Sequence, residues 1–143
     1  MIVKRLLLIV NPRAGKSKSL GPLYDAIARL SAGGYLVYVR ETKGPGDATR
    51  FARDLGPDFD TVVCYGGDGT LLEGVHRLCG APIPVMGINA GHLGFLTSAP
   101  NSDIGLLFRQ IAEGRIQTEP RSLLHVEGVF PQQPDSYLAL NEF

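Results

Sequence analysis

Gly66-Gly67-Asp68-Gly69-Thr70 sets one carboxylate among three glycines, directly after the apolar run Thr61 to Tyr65. Gly66 and Gly67 permit backbone conformations that a Cβ would obstruct, and they let a ligand approach the main chain. Gly69 and Thr70 lead into a helical pattern whose first amides lack partners within the helix and favour negative charge, so the turn suits a phosphate. Asp68 does not suit a phosphate, because two anions in one cradle repel. A magnesium ion, or a substrate hydroxyl whose proton the carboxylate accepts, would resolve the conflict, and both belong to phosphoryl transfer. Asp68 as a plain helix cap is the alternative that these residues leave open.

Two more loops carry groups of the same kind. Asn11-Pro12-Arg13-Ala14-Gly15-Lys16-Ser17 is a basic turn suited to triphosphate oxygens. Its Gly-Lys-Ser tail resembles a P-loop, but that motif needs a glycine where Val10 stands, so the P-loop is set aside. A solvated lysine-rich loop is the other reading of these residues. Gly87 to Thr97 brackets Asn89 and His92 with glycines and adds Phe95, an aromatic on which a planar base could stack. His92 taken singly is more often a surface or hydrogen-bonded core residue than a catalyst. Two glycine-rich loops, one acidic and one aromatic, favour a nucleotide cleft more than either does alone.

These loops follow strands. Apolar runs at Leu6 to Val10, Tyr35 to Val39, Thr61 to Tyr65 and Ile83 to Ile88 are punctuated by Gly and Pro, the mark of strands buried on both faces. Helical periodicity separates them: Leu23, Ile27 and Leu30 ahead of a Gly33-Gly34 stop; Ala48, Phe51, Ala52 and Leu55 behind an Asp47 cap; Leu71 to Cys79; and Ile104 to Ile111. The alternation predicts an α/β fold, a doubly wound, mostly parallel Rossmann-like sheet with ligands outside the carboxyl ends of its strands. Leu123 to Val129 and Tyr137 to Leu140 predict a hairpin that opens a β-rich unit. The domain expectation is therefore 1–118 for the α/β unit and 119–143 for an incomplete second one.

Composition narrows the partners. The 143 residues are 44% hydrophobic and 20% charged, with fourteen basic and fourteen acidic side chains, which suits a soluble domain and argues against bulk attraction to nucleic acid or anionic membrane. Cys64 and Cys79 lie in apolar runs without metal-ligand spacing, consistent with reduced thiols in a cytoplasmic protein. The apolar start is too short for a signal peptide or a membrane span.

The motifs "GGDGTLLEGVHRL" (66–78), "PVMGINAGHLGFLT" (84–97) and "LALNEF" (138–143) resemble those of NAD kinases, in that order. "IVNPRAGKSK" (9–18) and "ETKGPGDATRFARDL" (41–55) resemble bacterial diacylglycerol-kinase-like lipid kinases, so the first 63 or so residues are similar to one group and the rest to the other. The resemblance implies a phosphofructokinase/NAD kinase-like fold and transfer of the γ-phosphate of ATP, with Mg2+, to the 2′-hydroxyl of the adenosine ribose of NAD. It implies Asp68 as the group that activates that hydroxyl. Gly66, Gly67, Gly69, Thr70, Leu72, Asn89, His92, Phe95, Asn141 and Glu142 would hold nucleotide, and Asn11, Arg13, Gly15 and Lys16 are candidates for the ATP phosphates. No metal ligand is assigned to the protein itself. Family members are about twice as long, so the expectation is an amino-terminal fragment with reduced or no turnover, self-associating as a homo-oligomer. A lipid kinase domain, or a non-catalytic or engineered nucleotide-binding module, are the alternatives.

Overall fold

The computed structural model describes residues 3–13, 21–66, 70–71, 83–89, 99–100, 104–122, 124–127 and 136–139. Five strands form one parallel sheet: β1 (Lys4–Val10), β2 (Tyr35–Glu41), β3 (Thr61–Gly66), β4 (Val85–Asn89) and the two-residue β5 (Ala99–Pro100), in the order β2-β1-β3-β4-β5. The helices are α1 (Gly21–Ala32), α2 (Asp47–Leu55) and α3 (Ile104–Ala112), and Thr70 and Leu71 are helical. A separate antiparallel pair, β6 (Leu124–Glu127) and β7 (Ser136–Ala139), matches the expected hairpin.

β1 explains why its run is uninterrupted. Leu6, Leu8 and Val10 point to one face and pack with Val63, Tyr65, Ile88, α1 residues Leu23, Ala26 and Leu30, and α3 residues Leu107, Phe108 and Ile111. Leu7 and Ile9 point to the other and pack with Val62, Cys64, Phe59, Leu71 and α2 residues Ala48 and Ala52. Leu6 to Ile9 are completely buried, so alternation has nothing polar to place on either side. Helices therefore cover both faces, and the sheet is doubly wound as the pattern predicts.

Two expectations are corrected. The run Tyr35 to Val39 does not belong to a strand buried on both faces: β2 is an edge strand, and Leu36, Tyr38 and Val39 are 46%, 41% and 45% exposed. Apolar content alone does not distinguish an edge from the middle of a sheet. Asp47 does not cap α2 from outside. It is the first helical residue, Gly46 occupies the cap with φ +84° and no side-chain bond, and the Asp47 carboxylate reaches back to the amides of Lys43 (2.8 Å) and Gly44 (3.2 Å). The strand expected at Ile83 to Ile88 begins at Val85 and ends at Asn89. Beyond Leu71, the helix expected to Cys79 lies outside the described residues.

Candidate functional site

β1 is flanked by β2 on one side and β3 on the other, and the crossovers leave it in opposite directions. α1 runs from β1 towards β2 on one face, while the helical turn after β3 packs into the core of the opposite face through Leu71. In open α/β sheets such a reversal marks the switch point where ligands bind, here outside the carboxyl ends of β1 and β3. The register says what lines it. Glu41, Val10, Tyr65 and Ile88 form one row across four strands, so the next row is Thr42, Asn11, Gly66 and Asn89. Two hydrogen bonds carry the ladder into that row: the Asn11 amide donates to the Tyr65 carbonyl at 2.8 Å, and the Thr42 amide to the Val10 carbonyl at 2.8 Å.

Asn11 is then shaped from within. Its Oδ1 accepts the Arg13 amide at 3.0 Å, an Asx turn that bends the chain over the end of β1 and leaves Arg13 exposed at the rim. Gly66 is glycine because of its neighbours: a Cβ there would run into the Thr70 hydroxyl and come within 3.1 Å of the Cβ atoms of Asn11 and Thr70. Asn11, Gly66 and Thr70 are therefore in direct proximity, although 55 and 59 residues of sequence (66 minus 11, 70 minus 11) separate them.

Thr42 and Thr70 are the buried polar residues among those described, at 8% and 7% exposure. Neither hydroxyl has a hydrogen-bond partner among the described residues, and both stand at the carboxyl edge beside Asn11. A buried hydroxyl without a partner is costly, by about 1–3 kcal/mol, and a bound oxyanion accepting from it removes the cost. Thr70 was expected in the site from the sequence. Thr42 was missed, because it becomes a neighbour of Asn11 only when β2 pairs with β1; the available signal was its place one residue past a strand. Tyr65 faces the core, and burial pushes its phenol above the ordinary value, so it acts as an apolar wall.

The loop after β2 is stiffened on its outer side. Asp47 accepts the Lys43 and Gly44 amides and pairs with Arg50 at 3.0 Å. The Lys43 backbone bond, with the Gly44 amide and Arg50 charge, holds its carboxyl below the usual carboxylate value. A depressed folded value means that this contribution to stability is present above the ordinary carboxylate range and is lost as pH falls through the folded value. Asp47→Asn is accordingly expected to be less stable than the parent at neutral pH and to show a shallower loss in acid, measured by urea unfolding at pH 7 and at pH 3.

Of the other sequence-predicted residues, Gly15, Lys16, Gly67, Asp68, Gly69, Leu72, His92, Phe95, Asn141 and Glu142 lie outside the described residues, and of Asn89 only the backbone is described. Among the described residues no three His, Cys, Asp or Glu side chains converge to hold a metal. No described helix is long and apolar enough to cross a membrane.

Comparison with known proteins follows the same lines. An NAD kinase from Cupriavidus pinatubonensis is 35% identical over 128 residues, which cover 85% of this chain and 42% of the relative. This chain thus spans less than half the length of that curated relative. Among solved structures, yeast NADH kinase complexed with NADH superposes with a TM-score of 0.65 at 20% identity, covering 96% of this chain and 46% of its own. A diacylglycerol kinase from Bacillus anthracis gives 0.59 at 24% identity, covering 78% of this chain and 39% of its own. At those identities the two structures share the fold. The diacylglycerol kinase catalytic domain model matches residues 5–117, which include the lipid-kinase-like motifs and the NAD-kinase-like motifs at 66–78 and 84–97. The chain belongs to the diacylglycerol kinase catalytic domain family.

Proposed function

We propose that this chain is the nucleotide-binding half of an NAD kinase-type phosphotransferase, which moves the γ-phosphate of ATP to the 2′-hydroxyl of the adenosine ribose of NAD. The observation that carries the reading is the row Thr42, Asn11, Gly66 and Asn89 at the switch point, with the buried threonines Thr42 and Thr70, whose hydroxyls have no hydrogen-bond partner among the described residues. NAD as acceptor draws its support from the relative named NAD kinase, 35% identical across 85% of the chain.

In this reading Asp68 accepts the proton of the attacking hydroxyl, and the turn Gly66, Gly67, Gly69 and Thr70 faces phosphate. Asn11, Arg13, Gly15 and Lys16, joined by Thr42, hold the triphosphate. Leu72, Asn89, His92 and Phe95 border the nucleoside, and Asn141 with Glu142 closes on it from a second unit spanning 119–143, beside the α/β unit of 1–118. Magnesium bound with the triphosphate would supply charge neutralisation during transfer. The protein would work in the cytoplasm, as a homo-oligomer.

A lipid kinase is the second reading, favoured by the description of the matching family model. Labelled ATP offered to an enzyme of the relatives' full length carrying this chain, with NAD in one reaction and diacylglycerol in another, separates the two. Label in NADP alone is the expected result; label in phosphatidate alone would replace the proposed acceptor.

A further inference from the structure

The outer edge of β2 is built to pair. It is seven residues long, contains no proline, and presents five apolar or aromatic residues followed by Arg40 and Glu41. Edges of this length and composition template pairing with another chain unless they are blunted. Here no bulge interrupts the register with β1, and α2 covers β1 and β3 rather than β2, leaving Leu36 and Tyr38 partly exposed on that face, where Tyr38 packs edge-on against Phe59 and beneath Arg5.

We propose that β2 pairs antiparallel with β2 of a second copy of this chain, the two-fold axis passing through Tyr38 and the two sheets joining into one. Two observations carry this register. The Thr42 amide points inward, to the Val10 carbonyl, so by strand alternation the backbone groups of Tyr38 also point to β1 and those of Tyr35, Val37, Val39 and Glu41 point outward. An axis at Tyr38 sets Val37 opposite Val39 and Tyr35 opposite Glu41, so the outward groups meet each other as hydrogen-bonded pairs and Tyr38 meets its own copy as a non-hydrogen-bonded pair.

One pair of opposite charges agrees with the same register. Lys4 lies alongside Tyr35 in the β1–β2 ladder, with its ammonium 5.7 Å from the centre of the Tyr35 ring. Glu41 of the second copy, opposite Tyr35 and on the same face, would meet that ammonium, and symmetry makes the contact twice. Neither Lys4 nor Glu41 has an ion pair among the described residues. On the other face the aliphatic stem of Arg40 would cover Leu36 of the second copy, beside Arg5, whose guanidinium is turned onto the Tyr38 and Phe59 rings and the Asp58 carbonyl. A chain with no net formal charge adds no long-range repulsion.

Sedimentation equilibrium at micromolar concentration tests this. The expected mass is twice the 15.4 kDa of the chain. Lys4→Glu and Glu41→Lys should each weaken the dimer about tenfold by setting like charges together twice, and the double variant Lys4→Glu/Glu41→Lys should restore it. Tyr38→Cys should cross-link to its own copy on oxidation, since non-hydrogen-bonded pairs stand about 4.5 Å apart at Cα, within disulfide reach, whereas Leu36→Cys should not. A monomer at every concentration, or a dimer unmoved by both single reversals, would overturn the proposal.

Discussion

In an enzyme of the relatives' full length, Asp68→Asn is expected to lower NADP formation by roughly 100- to 10,000-fold while leaving the fold unchanged, the range associated with losing a positioned general base. The substitution keeps the size of the side chain and removes its capacity to take a proton from a hydroxyl. The residue follows Gly66 by two positions in the sequence, and Gly66 stands against Asn11 and Thr70 at the switch point, which is what supports the proposed role of Asp68. A carboxylate that only capped a helix would behave differently: its loss would cost about 1 kcal/mol of stability, with a small change in rate. A coupled assay for NADP, run beside thermal melting, separates these outcomes. An undiminished rate would remove Asp68 from the reaction.

Gly66→Ala is expected to destabilise the protein by about 1–3 kcal/mol, the usual penalty for forcing a methyl group into packed space. The methyl group would meet the Thr70 side chain and the Asn11 Cβ, so relief requires one of the two loops to move. The same variant should therefore also weaken ATP binding. Gly44→Ala is the control, because a Cβ there meets nothing within 4 Å; it should leave stability unchanged or slightly raised. Urea unfolding of the two variants, followed by calorimetric titration with ATP, measures both effects.

The elements were legible where burial is two-sided. Leu6 to Val10 can be read as a central strand because both faces of β1 are covered, and the Gly33-Gly34 stop agrees with the positive φ of Gly34 (+89°) after α1. Strand order is a different kind of information. Tyr35 to Val39 has the composition of a buried strand, yet β2 lies at an edge, because which strands neighbour one another depends on crossovers distant in sequence. The two-residue β5 has no run to announce it, and its pairing with Ile88 and Asn89 depends wholly on β4.

Site residues divide in the same way. Asn11, Gly66 and Thr70 announced themselves through loop chemistry, and the structure brings those three together. Thr42 did not, since a threonine past a strand is ordinary until register sets it next to Asn11. Asp47 shows the converse. An acidic residue ahead of a helical pattern suggests a cap, but Gly46, free to adopt a left-handed backbone, took that position and left the carboxylate to bind the preceding loop.

Amide chemical-shift mapping of the chain during titration with ATP, magnesium and NAD tests the location of the site independently of turnover. The largest shifts are expected at Asn11, Thr42, Gly66, Thr70 and Asn89, the row at the carboxyl edge of the sheet. Shifts centred instead at Arg5, Asp58 and Asp60, on the amino edge, or no shifts at all, would contradict a nucleotide site at the switch point between β1 and β3.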